Sequence, residues 1–367
     1  MDNIQWLLEN GGPAMKLNLM NERLIGQDMF NKNESIDELL HIKKVKTALT
    51  YFDRFKDFKS WSDRQLVANI HNCYDDCYER FMPFLISFGF RADIPEFDEK
   101  VKYIFDVYRN LIFPDESGLF RWHHGVALNI IMILLEAGYY NADMLDYLAL
   151  KFINKLFKTA EQQCFDIYET DPSKIRWSKL PEIWKAGPIC KDIHVHDCDA
   201  SELPLPTIYH IKPLINIYKY IENKIIKNKI DTIIKYIMEP EYQKLRGFYG
   251  YSWFYNKAYY APSPGVALPF YENKKIHAGD MGVLSMMSLV PFVTKTEWFK
   301  NCVDFLEQYK TERGTYILSP DGDSANTATV SAYISKDSKI KRNDIRFFMA
   351  ELSGTYFVEL MKKRIQL

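Results

Sequence analysis

The sequence has no long apolar run. Its longest, Ile130 to Leu135, falls far short of the roughly 20 residues a helix needs to cross a bilayer. The chain opens MDNIQWLLENGG, without a basic stretch leading into an apolar one, so no signal peptide is expected. There is no surplus of positive charge: 47 Lys and Arg stand against 48 Asp and Glu, which removes the electrostatic footprint of a nucleic-acid binder. The six cysteines (Cys73, Cys77, Cys164, Cys190, Cys198, Cys302) are scattered, without the spacing of a disulfide framework. Free thiols in a cytoplasmic protein are expected. Sustained alternation of apolar and polar residues is rare, which argues against extensive sheet.

What is present is apolar and aromatic side chains at helical spacing. Hydrophobic residues make up 47% of the chain, enough for a sizeable core. Aromatic residues reach 15% and serve either thick packing between helices or an aromatic-lined pocket. Ser35-Ile-Asp-Glu38 and Ser62-Asp-Arg-Gln65 read as capping boxes that open helices. One long helix is expected from about Asp63 to Ser87, stopping at Gly89, and another from about His123 to Ala137, stopping at Gly138. Glycine takes the left-handed cap conformation there without strain.

These endings belong to a repeat. Phe84-Leu-Ile-Ser-Phe-Gly89-Phe aligns with Ile133-Leu-Leu-Glu-Ala-Gly138-Tyr at an offset of 49 residues, and Val101-Lys-Tyr-Ile-Phe aligns with Leu150-Lys-Phe-Ile-Asn at the same offset. A third copy leads from Tyr218-Lys-Tyr-Ile-Glu-Asn223 into Ile230-Asp-Thr-Ile-Ile-Lys-Tyr-Ile237, and a fourth from Met281-Gly-Val-Leu-Ser-Met-Met to the helix ending at Leu306. Glycine followed by an aromatic also recurs beyond the second helices: Gly118-Leu-Phe120, Gly247-Phe248 and Gly314-Thr-Tyr316. Hairpins of about 50 residues cannot bury their apolar faces alone and must stack, and about six or seven of them are enough to close a ring. The expected fold is therefore all-α: a single domain over residues 1–367, an (α/α)6-type toroid of helical hairpins. The long segments 159–206, 247–278 and 314–342 would cap one rim as functional loops.

The opening Trp6-Leu-Leu-Glu-Asn-Gly-Gly-Pro13, the Gly-aromatic turns, Tyr259-Tyr-Ala-Pro-Ser-Pro-Gly265 and Thr311-Glu-Arg-Gly-Thr-Tyr316 resemble the α/α-toroid superfamily of terpenoid cyclases and protein prenyltransferases. Within it they look like the bacterial branch described as squalene-cyclase-like or prenyltransferase-like. The resemblance is one of pattern over most of the chain, and it implies fold far better than function. The Asp-x-Asp-Asp acid motif of polyene cyclases and the complete Gln-Trp repeat motif are both absent, so no catalytic assignment carries over.

Candidate site residues follow from the placement of polar groups near the expected rim. His71, Asp75 and Glu79 would share one stripe of the 63–87 helix, with Asp76 one residue round. The spelling Asp75-Asp76-x-x-Glu79 resembles the magnesium–diphosphate motif of class I isoprenoid enzymes, and carboxylates on neighbouring turns can share a Mg²⁺ that holds a phosphate. The plainer reading is a solvated acidic face. Trp122-His123-His124 opens the next inner helix, where a histidine serves as general acid or base or simply caps and packs. His71, Asp75, Asp76, His123 and His124 are thus the catalytic candidates. The run Cys190-Lys-Asp-Ile-His194-Val-His196-Asp-Cys198 is the densest group of metal ligands: His194 and His196 would point the same way if the segment is extended, and Cys198 or Cys190 would complete a Zn²⁺ site. The plainer reading is a polar lid segment without metal. Trp122, Tyr209, Trp253, Tyr255, Tyr259, Tyr260, His277 and Asp280 are the candidates for contacting substrate.

The functional expectation is an enzyme that binds an apolar or isoprenoid-like small molecule in the toroid cavity and cyclises, isomerises or transfers it. Two alternatives stand beside it. One is a carbohydrate-active toroid, a hydrolase or lyase with paired carboxylates. The other is a non-catalytic ring that binds a ligand or a protein partner.

Overall fold

A computed structural model describes residues 2–71, 76–112, 124–175, 188–194, 201–245, 248–254, 257–263, 265–269, 271, 280–319, 327–336 and 344–366. The protein is mostly helical, as the periodicity requires, and divides into two compact units. The first comprises Met1–Asn110, Glu136–Gly138 and Glu272–Leu367; the second comprises Leu111–Leu135 and Tyr139–Tyr271.

The first unit begins with α1 (Asn3–Asn10), α2 (Pro13–Asn21), α3 (Lys32–Leu40), α4 (Lys43–Tyr51), α5 (Asp63–Ile70), α6 (Tyr78–Ser87) and α7 (Pro95–Ile112, whose last two residues belong to the second unit). Pro13 occupies the first turn of α2, where its missing N–H costs nothing. In the second unit, α8 (His124–Glu136, its last residue in the first unit) precedes α9 (Ala142–Leu148), a π turn at Ala149–Ile153 and α10 (Asn154–Glu161). The helices α11 (Ile208–Tyr218), α12 (Lys224–Met238) and α13 (Pro240–Gln243) follow. Ile230, Ile233, Ile234 and Ile237 form the buried stripe of α12, at the spacing that keeps one helical face apolar. The first unit resumes with α14 (Asp280–Met287), α15 (Glu297–Leu306), α16 (Thr327–Tyr333) and the long α17 (Ile345–Gln366). Helix α17 packs against α1, α15 and α16.

The repeated endings are real turns of one kind. Gly89 has φ +91° and Gly138 φ +94°. The Phe90 amide donates to the Leu85 carbonyl at 3.1 Å and the Tyr139 amide to Leu134 at 2.9 Å, the long bond that closes a Schellman turn. Each of these pairs is separated by the same 49 residues. Two further helices end this way on non-glycine residues, Arg23 at φ 57° and Gln163 at φ 51°, with Leu24 bonded back to Leu19 at 2.8 Å and Cys164 to Thr159 at 3.3 Å. Side chains satisfy the carbonyls around the end of α6. Asn18 donates to Ser87 at 2.7 Å, Asn21 to Gly89 at 2.9 Å, and Arg91 to Ile86 and Phe90 at 2.7 and 2.9 Å.

Several local expectations are corrected. The 63–87 helix is not continuous: α5 stops at Ile70, and Cys77 is extended at φ −147°, ψ 171° before α6 begins. Long-range contacts decide this. The Tyr51 hydroxyl takes the Asn69 carbonyl at 2.8 Å, and Cys77 is fully buried. Ser62 and Gln65 do form the expected box, with Ser62 N–H donating to Gln65 at 2.9 Å. Ser35 does not open a helix. It lies buried inside α3, whose cap is Asn31, accepting from the Glu34 amide at 3.2 Å. Asparagine caps at least as well as serine, and the earlier start carries Ile36 and Leu39 into the core. Within the expected 247–278 loop, Phe248–Phe254 and Lys257–Ser263 pair as an antiparallel hairpin, β1 and β2, with Tyr251 opposite Tyr260. Aromatic residues favour such a pleated pair, and adjacent aromatics at 248–249, 253–254 and 259–260 break the alternation that would have marked the strands. The alignment of Val101 with Leu150 also fails at the level of burial. Val101 is fully buried and Leu150 is 72% exposed, because the π turn places one residue more in that turn.

The two repeated glycines separate strain from crowding. A Cβ on Gly89 would sit 2.5 Å from the Leu17 Cβ, whereas on Gly138 the nearest side chain is Ala92 at 3.7 Å. Gly138→Ala is expected to cost about 1 kcal/mol from the left-handed backbone alone. Gly89→Ala should cost clearly more, on the order of 2–4 kcal/mol, because overpacking adds to strain. Urea unfolding of both variants checks this, and equal losses would show that the Leu17 contact does not matter.

Candidate functional site

The first unit contains a cleft of about 670 Å³, within the usual range for small-molecule sites. Its wall is built from the end of α3 (Glu38, His41), the start of α4 (Ile42, Lys43, Lys44, Thr47), Asp76 and Phe81 around the start of α6, and Ser331 and Lys336. Phe81 belongs to an aromatic cluster: its ring lies 5.0 Å from Tyr51, which packs edge-on against Phe52 and Phe55. That cluster fixes α6 against α4. Burial pushes the Tyr51 hydroxyl well above its ordinary value, with Cys77 and Asp76 adding to the shift and Arg54 opposing it. Tyr51 therefore stays neutral beside the cleft.

The charges around the cleft are arranged unusually. Helix α4 has no side-chain cap at Ile42, and its first two positions are Lys43 and Lys44, where the helix dipole disfavours cations. Positive potential therefore accumulates at this end. Lys44 lies 4.7 Å over the Phe84 ring. Lys336 reaches Glu38 at 2.7 Å. Its position is set by the end of α16, which pairs with the α1–α2 junction: Gly12 donates to the Tyr333 carbonyl at 2.8 Å and Ser335 to the Asn10 carbonyl at 2.9 Å.

Of the residues expected to form a site, Asp76 is the one the structure brings to this cleft. His71, exposed at the end of α5, pairs with Glu79 in the first turn of α6. Glu79 is thus engaged with His71, and Asp76 precedes the helix, so the two carboxylates do not occupy neighbouring turns of one helix as a shared Mg²⁺ would need. Asp75, Trp122, His123, Tyr255, His196, Cys198 and His277 lie outside the described residues. His124 opens α8, and Trp253, Tyr259 and Tyr260 lie on the hairpin strands, their side chains outside the described part. Tyr209 is 52% exposed on α11. Asp280 opens α14 near Cys302, whose thiol burial pushes up to about 12, with the Asp280 charge adding to it.

His194 is buried. Burial holds its pKa below the ordinary histidine value, partly opposed by its bond to the Leu203 carbonyl. That bond, 2.9 Å from Nδ1, places the proton on Nδ1 and leaves Nε2 as the lone-pair nitrogen. A metal-bound imidazole is oriented in this manner, and so is a neutral core histidine. Among the described residues no three His, Cys, Asp or Glu side chains lie together as a metal site would require. His210, not singled out by the sequence, is a capping residue: its Nδ1 accepts from the Thr207 amide at 3.3 Å.

The residues that sequence reasoning missed are the lysines. The pair Lys43-Lys44 could have been noticed as cations at a helix start. Nothing local could place Lys336 beside them. No helix among the described residues is long and apolar enough to cross a membrane. Against known proteins, the chain matches no family model, no curated protein and no solved structure.

The His71–Glu79 pair makes stability depend on pH. The hydrogen bond to Glu79 raises the His71 pKa, with burial opposing it and the Glu79 charge adding to it. A raised folded-state value stabilises fully below the unfolded pKa of about 6.5 and fades as pH rises through the folded value. His71→Gln should therefore lower the melting temperature at about pH 6 and leave it unchanged at about pH 9. A deficit of equal size at both values would mean that the pair contributes no charge-dependent stability.

Proposed function

We propose that this protein is an enzyme acting on a small molecule with an apolar body and an anionic end, and that the Asp76 cleft receives that end. The observation that carries this reading is the convergence on one cavity of Asp76, Lys43, Lys44 and Lys336 with Phe81 and Ile42. Lys43 and Lys44 supply attraction for the anion, Lys336 being paired with Glu38; the apolar residues supply contact for the body, and Asp76 is the group available for proton transfer. Isoprenoid-like molecules fit this description, and the sequence resemblance to terpenoid cyclases and prenyltransferases points the same way. The closed α/α toroid and membership of that superfamily belong to the same proposal. They are supported by the recurrent hairpins α6–α7, α8–α9, α11–α12 and α14–α15.

The test uses farnesyl diphosphate and farnesol as probes in thermal-shift and titration experiments. Farnesyl diphosphate is expected to raise the melting temperature and farnesol to do so weakly. Lys43→Ala should weaken diphosphate binding by about tenfold, roughly the loss of one charge-assisted contact. Asp76→Asn should preserve binding and abolish turnover. No stabilisation by either probe, or binding indifferent to Lys43, would remove the reading.

Zinc held by His194 with His196 and Cys198 is a separate part of the proposal; it rests on the run of ligand residues in the sequence, and the Leu203 bond leaves the His194 Nε2 lone pair available to it. Protein purified without chelator is then expected to carry about one zinc per chain, the count a single such site would hold. A content near zero that added zinc does not change would end the idea.

A further inference from the structure

The second unit carries an exposed face with a composition of its own. The rings of Tyr140 and Tyr220 stack at 4.6 Å and 6°. Lys229 donates to Asn154 at 2.7 Å, and Phe165 stacks on Tyr236 at 4.8 Å. Residue numbers rise together through these three contacts, so the α9–α10 segment and α12 run parallel. Leu150 and Ile225 both fall in the interval between the first two contacts. They are the most exposed large apolar side chains among the described residues, at 72% and 69%. Leu150 owes its position to the π turn, a feature that often marks functional sites.

Lysines surround these residues. Lys219 lies 4.8 Å over the Tyr220 ring, and Lys227 4.7 Å over Tyr218. Lys224 is exposed beside Ile225. Over residues 140–161 and 218–238, eight lysines stand against five carboxylates, Asp143, Asp146, Glu161, Glu222 and Asp231. The whole chain is nearly neutral, so basic charge is concentrated here. A second copy meeting this face across a two-fold axis would oppose lysine to lysine, which disfavours self-association. Leu150 and Ile225 stand out from the helices and are bordered by cations, an arrangement suited to a planar anionic surface.

We propose that this face docks on an anionic lipid surface. Leu150 and Ile225 enter the boundary between headgroups and acyl chains, the tyrosine pair sits at the interface, and the lysines meet lipid phosphates. The proposal concerns the second unit alone and does not depend on the reading of the cleft.

The full-length chain is sedimented with vesicles of phosphatidylcholine alone and of equimolar phosphatidylcholine and phosphatidylserine. Binding is expected to the anionic vesicles, to weaken with salt, and to be slight to phosphatidylcholine alone. The double variant Leu150→Glu, Ile225→Glu, checked for unchanged melting, should bind about tenfold less, having lost its two inserting side chains. Lys219→Gln with Lys224→Gln, should the first variant fail to fold, is expected to reduce anionic-vesicle binding and its salt dependence. Sedimentation with neither vesicle would overturn the proposal, as would equal binding to both. Concentration-dependent dimerisation of the parent chain that the double variant abolishes would overturn it in favour of a second copy.

Discussion

Every helix of this protein must stop with its last carbonyls satisfied, and in the first unit the manner of stopping determines what lies beside what. The last carbonyls of a helix have no partner within it, and leaving them buried and unmade would cost on the order of 1–3 kcal/mol each. Around the end of α6 they are met by Asn18 and Asn21 of α2 and by Arg91 just beyond the turn. The Tyr333 hydroxyl of α16 also donates to Ser87. One helix end therefore draws α2 and α16 to itself. The left-handed Gly89 then reverses the chain so that Phe90 meets Phe97 of α7, ring centroids 5.9 Å apart. At Arg23 and Gln163 the same turn is made without glycine, at a conformational cost of order 1–3 kcal/mol each that the surrounding packing must outweigh.

The cleft follows from that arrangement. With α16 held at the end of α6, the residues after it bring Lys336 to Glu38, while the aromatic cluster around Tyr51 holds Phe81 and the start of α6 against α4. The break between α5 and α6 matters as much. A continuous helix would have carried Asp76 round with its neighbours; with extended backbone at Cys77 it lines the cleft beside Lys43 and Lys44 instead. Lys43 and Lys44 are poorly placed for α4 itself. Cations that the start of a helix disfavours are thus gathered beside the cavity.

Much was written locally in the sequence: the helical class, the glycine stops at 89 and 138, and the Ser62–Gln65 box. Each depends on a backbone rule that a few neighbouring residues satisfy by themselves, such as the freedom of glycine at positive φ or the spacing that puts apolar side chains on one helical face. The start of α3 at Asn31, the break before α6, the hairpin at 248–263 and the outward turn of Leu150 were decided by tertiary structure. At α3 and at the break before α6, burial of Ile36, Leu39 and Cys77 and the Tyr51–Asn69 hydrogen bond go with the observed choice. The candidate site divides in the same way. Asp76 and the lysines at 43 and 44 were there to be read as residue types, but their meeting with Lys336 depends on contacts more than 200 residues apart in the chain, which no local pattern encodes.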